Sequence, residues 1–223
     1  MKALATSSIP APVIRRLPRY LTHIRELRKD NLVWVSSYEI AKALGLTMST
    51  VRQDFSHLDI RGISKRGYEI ARLERVLGET LGADSRHHTV IIGAGLMGRA
   101  LALHADFEES GFETQAIFDV SPKKIGRSVG SITVRSMDDL ESVLEDSEID
   151  IGVIAVPASA AQEVADRLVA SGIQGILNLA HTHLRVPRKV VLMEARILAR
   201  MQEIAFAIRR QNGQQAVGRS GKH

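Results

Sequence analysis

The sequence predicts an α/β protein in two folded parts: an N-terminal winged helix-turn-helix domain, then a C-terminal doubly wound parallel sheet, with one terminal helix after it. Three observations carry this. From residue 89 to 193 short apolar runs alternate with helical patterns, as in a parallel sheet with crossover helices. Before them, "VSSYEIAKALGLTMSTVRQDFSHL" (35–58) reads as helix, short Gly-containing turn, helix. Charge is also divided: residues 1–86 hold 15 Lys+Arg against 9 Asp+Glu, whereas 87–223 hold 15 against 16.

Composition sets the bounds. A chain of 223 residues, 44% hydrophobic and 25% charged, has the material for two globular domains. The chain has no cysteine, which excludes disulfides, thiolate catalysis and Cys-ligated metal. No apolar run approaches the roughly 20 residues that span a bilayer, and "MKALATSSIPAPVIRR" lacks the apolar core of a signal peptide. The expectation is a cytoplasmic protein with no membrane partner.

Taken in order, residues 1–12 are expected to be an arm that orders on contact. Val13, Leu17, Leu21, Ile24 and Leu27 fall at helical spacing, with Pro18 near a first turn. Ser36 stands three residues before Glu39, a capping box. Ile40, Ala41 and Leu44 line the helix it opens, and Gly45 ends it. A second helix opens around Ser49, with Val51 and Phe55 inward and Ser49, Thr50, Arg52, Gln53 and one acid, Asp54, outward. "RGISKRGYEI" (61–70) reads as two short strands about a basic turn, a wing carrying Lys65 and Arg66. The front domain is placed at 1–80 and a linker, "LGADSRHH", at 81–88.

The back domain, 89–193, alternates strand and helix. Strand "TVIIGA" precedes a helix over 96–108, and strand 113–120 precedes a short strand at 132–135 and a helix over 137–146. Strand "DIGVIAVP" precedes a helix over 159–171, followed by strands "GILNLA" and "KVVLM". The last helix, 194–210, has Ile197, Leu198, Met201, Ile204, Ala205 and Ile208 on one stripe, suited to its own sheet or to a partner subunit. Residues 211–223 have little apolar content and are expected to fray.

The chemistry concentrates in "GAGLMG". Gly93 follows a strand and can make the tight turn. Gly95 leaves room for a pyrophosphate, Gly98 lets the helix lie close to the strand, and the first N–H groups of that helix then face the phosphates. Ala94, Leu96 and Met97 complete the loop. Asp119 ends the second strand 21 residues after Gly98, placed to accept from the adenosine ribose and to repel a 2′-phosphate. That favours NAD(H), although Lys123 and Lys124 soften the exclusion. Val156 and Pro157 end another strand and can lie against a nicotinamide ring; an ordinary strand-to-helix turn explains them equally well. In the front domain, Arg52 and Gln53 can read bases, while Ser36, Ser49 and Thr50 can hold phosphates. Lys65 and Arg66 can meet the backbone or minor groove. His181 and His183 could ligate metal, but no nearby acid or Cys is evident to complete a set. No catalytic Ser–His–acid pattern is present, and with one helix read after the sheet no substrate domain is expected.

The stretches "IPAPVIRRLPRYL", "STVRQDFSHL", "GAGLMGRAL", "FDVSPKKIG" and "ADRLVASGIQGILNLA", in this order, resemble the Rex family of bacterial redox-sensing repressors over about residues 9–210. The resemblance implies a homodimer with winged-helix and NAD(H)-binding domains and an exchanged terminal helix. It also implies pseudo-palindromic operator DNA that is released on NADH binding. It assigns Gly93, Gly95, Leu96, Met97 and Gly98 to the pyrophosphate and Asp119 to the ribose, and Ser49, Thr50, Arg52, Gln53, Lys65 and Arg66 to DNA. The chain departs from the family at Leu96, where Asn or Arg is usual, and in the wing, which reads as two residues shorter before Tyr68. His104 replaces a Tyr near the nicotinamide, and Arg196 and Thr22 replace an Asp–Arg ion pair. A charge swap at that pair cannot preserve the same switch. Two other readings remain: an NAD-dependent oxidoreductase with a dimerising front domain, and a regulator sensing another adenine nucleotide such as a coenzyme A derivative.

Overall fold

The computed structural model describes residues 9–220, with side-chain surroundings through 212. It divides into two compact units, 1–86 and 87–223.

In the front unit, α1 (Ala11–Ile14) and α2 (Leu17–Lys29) split one amphipathic pattern at two arginines, with Pro18 in the first turn of α2. Helical structure therefore begins inside the expected arm; its residues 1–8 lie outside the described residues. Val13, Leu17, Leu21 and Ile24 are buried together. β1 (Trp34–Val35) leads to α3 (Ser37–Leu44), which opens on the full capping box and ends at left-handed Gly45, φ 65°. α4 (Met48–Ser56) starts one residue before Ser49, capped by the Thr47 hydroxyl. Phe55 is fully buried, edge-on to Tyr20 and Tyr68 with ring centroids 5.1 and 5.0 Å apart.

The wing differs from expectation. β2 (Tyr68–Glu69) pairs antiparallel with β1, and the stretch before it makes only one bridge, Ile63 to Gly67. Tyr68 is drawn to β1 because its ring belongs to the Phe55 core. Gly67 (φ 87°) makes the approach possible, since a Cβ there would sit 2.3 Å from the Val35 carbonyl oxygen. α5 (Ile70–Leu81) is unanticipated, although Ile70, Leu73 and Leu77 are buried at helical spacing. It ends at left-handed Gly82.

The expected linker is shortened at both ends, and residues 82–86 lie outside helix and strand. α5 fills its first residue, and β3 (His87–Ile92) begins two residues early because the His87 N–H reaches the Gly111 carbonyl and His88 pairs with Glu113. The back sheet runs β5-β6-β4-β3-β7-β8-β9, with β4 (Phe112–Asp119), β5 (Ser128–Val129), β6 (Ile132–Ser136), β7 (Ile151–Ile154), β8 (Gly175–Asn178) and β9 (Val191–Glu194). Only the β5–β6 pairing is antiparallel. β3 lies between β4 and β7, so the winding reverses there and the carboxyl ends of β3 and β7 open a crevice.

Two of the expected helices are interrupted. The run over 96–108 breaks into α6 (Leu96–Ala102) and α7 (Ala105–Glu109), with extended His104 between them. Leu103 is 56% exposed, so little burial rewards continuing α6, and Asp106 and Glu108 favour a fresh helix start. The helix over 137–146 begins as a 3-10 turn at Met137–Asp139 and continues as α8 (Leu140–Glu145). α9 (Ala158–Ala170) covers the sheet through Ala161, Val164, Ala165 and Leu168. β8 stops at Asn178, whose side chain turns the chain by donating to the Thr182 carbonyl and accepting from the Ala180 N–H.

α10 runs from Ile197 to Ser220, so the tail expected from 211 is helical through 220. Residues 221–223 lie outside the described residues. Ile197, Leu198, Met201, Ile204, Phe206 and Ile208 are each more than half exposed.

Candidate functional site

A cleft of about 720 Å³ opens at the β3/β7 crevice. Of the nine expected nucleotide residues, Gly93, Gly95, Met97, Asp119, Val156 and Pro157 line it. Gly93 is left-handed (φ 108°), and a Cβ there would meet the Ala155 carbonyl oxygen at 2.5 Å. A Cβ on Gly98 would come within 2.0 Å of the Gly93 carbonyl oxygen, so Gly98 serves close packing of α6 on the loop. Gly95 is different: nothing lies within 4 Å of its added Cβ. The space it leaves belongs to the cleft and fits a phosphate against bare backbone. Neither α6 nor α9 has a side-chain cap, so their first N–H groups remain donors at the crevice.

The other two expected residues face elsewhere. Ala94 is buried and spends its N–H on Asp119 Oδ2 at 2.9 Å, and the Leu96 side chain is 91% exposed.

Asp119 is the buried carboxylate of the cleft. Oδ2 accepts from Ala94 N–H and from Lys124 Nζ at 2.9 Å, and Oδ1 accepts from Ser121 N–H at 2.8 Å. Burial pushes its pKa up, but the Lys124, Ser121 and Ala94 hydrogen bonds outweigh this and hold it below the ordinary carboxylate range. Three of its roughly four acceptor positions are filled, leaving one on Oδ1 for a ribose hydroxyl. The sequence reading missed Val120, Ser121, Ala158 and His181 as lining residues. It placed Lys124 near the ribose without its bond to Asp119, for which the five-residue spacing in "FDVSPKKIG" was the available signal.

His183 Nδ1 lies 3.3 Å from Glu194 Oε1, and Arg196 Nη2 lies 2.6 Å from Glu194 Oε2. An acid does therefore stand beside this histidine, contrary to expectation. Among the described residues, however, no group of three or more His, Cys, Asp or Glu could hold a metal. His104 faces Asp106 at 3.8 Å, and Thr22 donates to the Pro18 carbonyl.

In the front unit, Ser49, Arg52 and Gln53 are exposed on α4 and Lys65 and Arg66 on the 63–67 turn. Asp54 corrects the sequence reading: it is 1% exposed and points inward. Arg16 grips it with two bonds of 2.6 and 2.7 Å, and the Tyr20 hydroxyl donates at 2.7 Å. Burial pushes the Asp54 pKa up, but the Arg16 and Tyr20 bonds prevail and hold it low. Its inward turn removes the one negative charge from the exposed face of α4. Ser36 is engaged in its capping box, and the Thr50 N–H and hydroxyl both bond the Thr47 hydroxyl. Arg52 is steadied by Nε donation to Ser37 Oγ at 3.1 Å. Trp34 and Thr47 were not anticipated. The cap spacing could have revealed Thr47; nothing local could have revealed Trp34, which meets Arg66 across the ribbon.

Comparison with known proteins agrees with this division. Residues 84–182 match the family model described as "CoA binding domain", and residues 8–56 match "Putative DNA-binding protein N-terminus". The chain is 38% identical over 214 residues to the redox-sensing transcriptional repressor Rex of Streptomyces coelicolor, covering 96% of this chain and 83% of that one. It is 38% identical over 185 residues to Rex of Clostridium acetobutylicum, covering 83% and 86%. Among solved structures it is similar to RSP, a Rex-family repressor, at 33% identity. TM-scores are 0.86 for RSP with β-NAD+ and operator DNA, covering 94% of this chain and 96% of that one, and 0.85 for RSP with β-NADH, covering 94% and 99%. The chain belongs to the Rex family of redox-sensing transcriptional repressors.

Proposed function

We propose that this protein is a cytoplasmic, dimeric repressor that binds NAD(H) in the β3/β7 cleft and operator DNA through its front unit, with nucleotide occupancy setting operator affinity. The empty space above Gly95, bounded by two uncapped helix starts and by Asp119, carries the nucleotide reading. Gly93, Gly95 and Met97 hold the pyrophosphate, the free Oδ1 position of Asp119 takes a ribose hydroxyl, and Val156 and Pro157 offer an apolar wall to the nicotinamide. Bound NAD(H) supplies the redox state to be sensed; the chain's own residues bind and orient it.

Ser49, Arg52, Gln53, Lys65 and Arg66 present the DNA surface, while Ser36 and Thr50 shape it through caps. The exposed apolar residues of α10 favour a second copy as their cover. Regulation requires only that the nucleotide bind the DNA-competent and DNA-incompetent states unequally. The "CoA binding domain" match favours one alternative ligand class, a coenzyme A derivative. Calorimetry with NADH, NAD+ and acetyl-CoA, on wild type and Asp119→Ala, separates the two. NADH affinity should fall by about 1–3 kcal/mol in the variant if a charged ribose contact is lost. Preferential acetyl-CoA binding that is indifferent to Asp119 would replace NAD(H) in this reading.

A further inference from the structure

The front unit contains the chain's single tryptophan. Trp34 is half-buried in β1 beside buried Val35, and its Cα partner across the ribbon is Glu69. The Arg66 guanidinium carbon lies 4.6 Å from the centroid of the Trp34 ring. Both partners are held at the backbone. The Gly67 approach to Val35 presses the wing base onto β1, and the turn closes by Ile63 N–H to the Gly67 carbonyl at 2.7 Å and Arg66 N–H to the Ile63 carbonyl at 3.1 Å. At the tip, Lys65 is left-handed (φ 62°), a conformation unusual for a side-chain-bearing residue. Arg66, Lys65 and Arg52 line one open basin of about 630 Å³ between α4 and the wing.

A long arginine on an exposed turn samples many rotamers, and ordering it costs free energy at the moment of binding. The contact with the indole removes part of that cost beforehand. A cation–π contact uses the charge of the guanidinium rather than its five N–H donors, which stay available. We propose that Trp34 is a positioning residue for DNA binding: its indole holds Arg66 so that the N–H edge meets a backbone phosphate of the strand running between α4 and the wing. This rests on the reading of the front unit as DNA-binding.

The test is fluorescence anisotropy with a labelled duplex from the protein's own promoter, over a salt series. It compares wild type, Arg66→Ala, Trp34→Leu, Trp34→Tyr and the Trp34→Leu/Arg66→Ala double variant. Arg66→Ala should flatten the salt slope by about one phosphate contact. Trp34→Leu should weaken binding about 2- to 5-fold, the worth of a surface cation–π contact, and flatten the slope in the same direction. Trp34→Tyr should restore most of the affinity, and the double variant should bind no worse than Arg66→Ala. Should Trp34→Leu fail to fold, Arg66→Lys asks the same question with Trp34 intact, and affinity between wild type and Arg66→Ala is expected. Wild-type affinity and slope in Trp34→Leu, or losses that multiply in the double variant, would overturn the proposal. A wild-type protein that does not bind the duplex at all would overturn the DNA reading and this inference with it.

Discussion

Gly95 and Gly98 stand three residues apart in one motif, yet they do different things, and replacing each by alanine separates them. At Gly98 the new methyl would lie 2.0 Å from the Gly93 carbonyl oxygen and 3.1 Å from Ile91 Cγ2. Ordinary contact is about 3.5 Å, so α6 or the Gly93 turn must move by more than 1 Å, and a backbone carbonyl does not yield as a side-chain tip does. Overpacking of this kind costs about 1–3 kcal/mol, partly offset by roughly 1 kcal/mol from the better helix propensity of alanine. A net loss of about 1 kcal/mol would lower Tm by roughly 2–4 °C in a chain of this size. At Gly95 nothing stands within 4 Å and the backbone is unstrained at φ −79°, so Gly95→Ala should melt as wild type does. Its methyl, however, projects where the pyrophosphate must approach, and NADH affinity should fall at least about tenfold, equivalent to roughly 1.4 kcal/mol. Thermal melts and NADH calorimetry on both variants decide the matter. Gly95→Ala binding NADH as wild type does, or Gly98→Ala melting as wild type does, would refute the division of roles.

Other consequences follow from single residues. Gly67→Ala adds a methyl 2.3 Å from the Val35 carbonyl oxygen at φ 87°, so operator affinity should fall while NADH affinity stays unchanged, measured by anisotropy and calorimetry on the same sample. Asp54 is held ionised below its unfolded pKa of about 3.9. It therefore contributes stability that is complete above that value and is lost as pH falls through the lower folded pKa. Asp54→Asn should cost about 2–3 kcal/mol at pH 7, less than a fully buried pair because the Arg16 side chain is 26% exposed, and the gap to wild type should close in acid; urea melts at pH 7 and pH 3 check this. Replacing Met201 and Ile204, both more than half exposed on α10, by glutamate should convert dimer to monomer in light scattering without unfolding either unit.

Features that depend on neighbouring residues were legible in the sequence. The Ser36–Glu39 box, the Gly45 turn and the glycine loop each work through partners a few residues away, and each appears where the spacing puts it. Six of the nine nucleotide positions line the cleft for the same reason. Features set by distant partners were not. Asp54 reads as an exposed acid on a recognition helix until Arg16, 38 residues upstream, is known to grip it. Trp34 gives no local signal of a role until Arg66 folds over it. Asp119 reads as a fully free ribose acceptor, whereas Lys124 and two backbone N–H groups leave it only one acceptor position, on Oδ1. The break at His104 falls beside Leu103, which stays 56% exposed, and periodicity alone does not reveal that.

The most direct test is operator affinity of the purified protein, measured on its own promoter duplex at fixed salt, with NADH and NAD+ each at saturation. Dissociation constants should differ by at least about tenfold between the two nucleotides, a coupling of roughly 1.4 kcal/mol. Equal constants with both nucleotides, and without either, would contradict it.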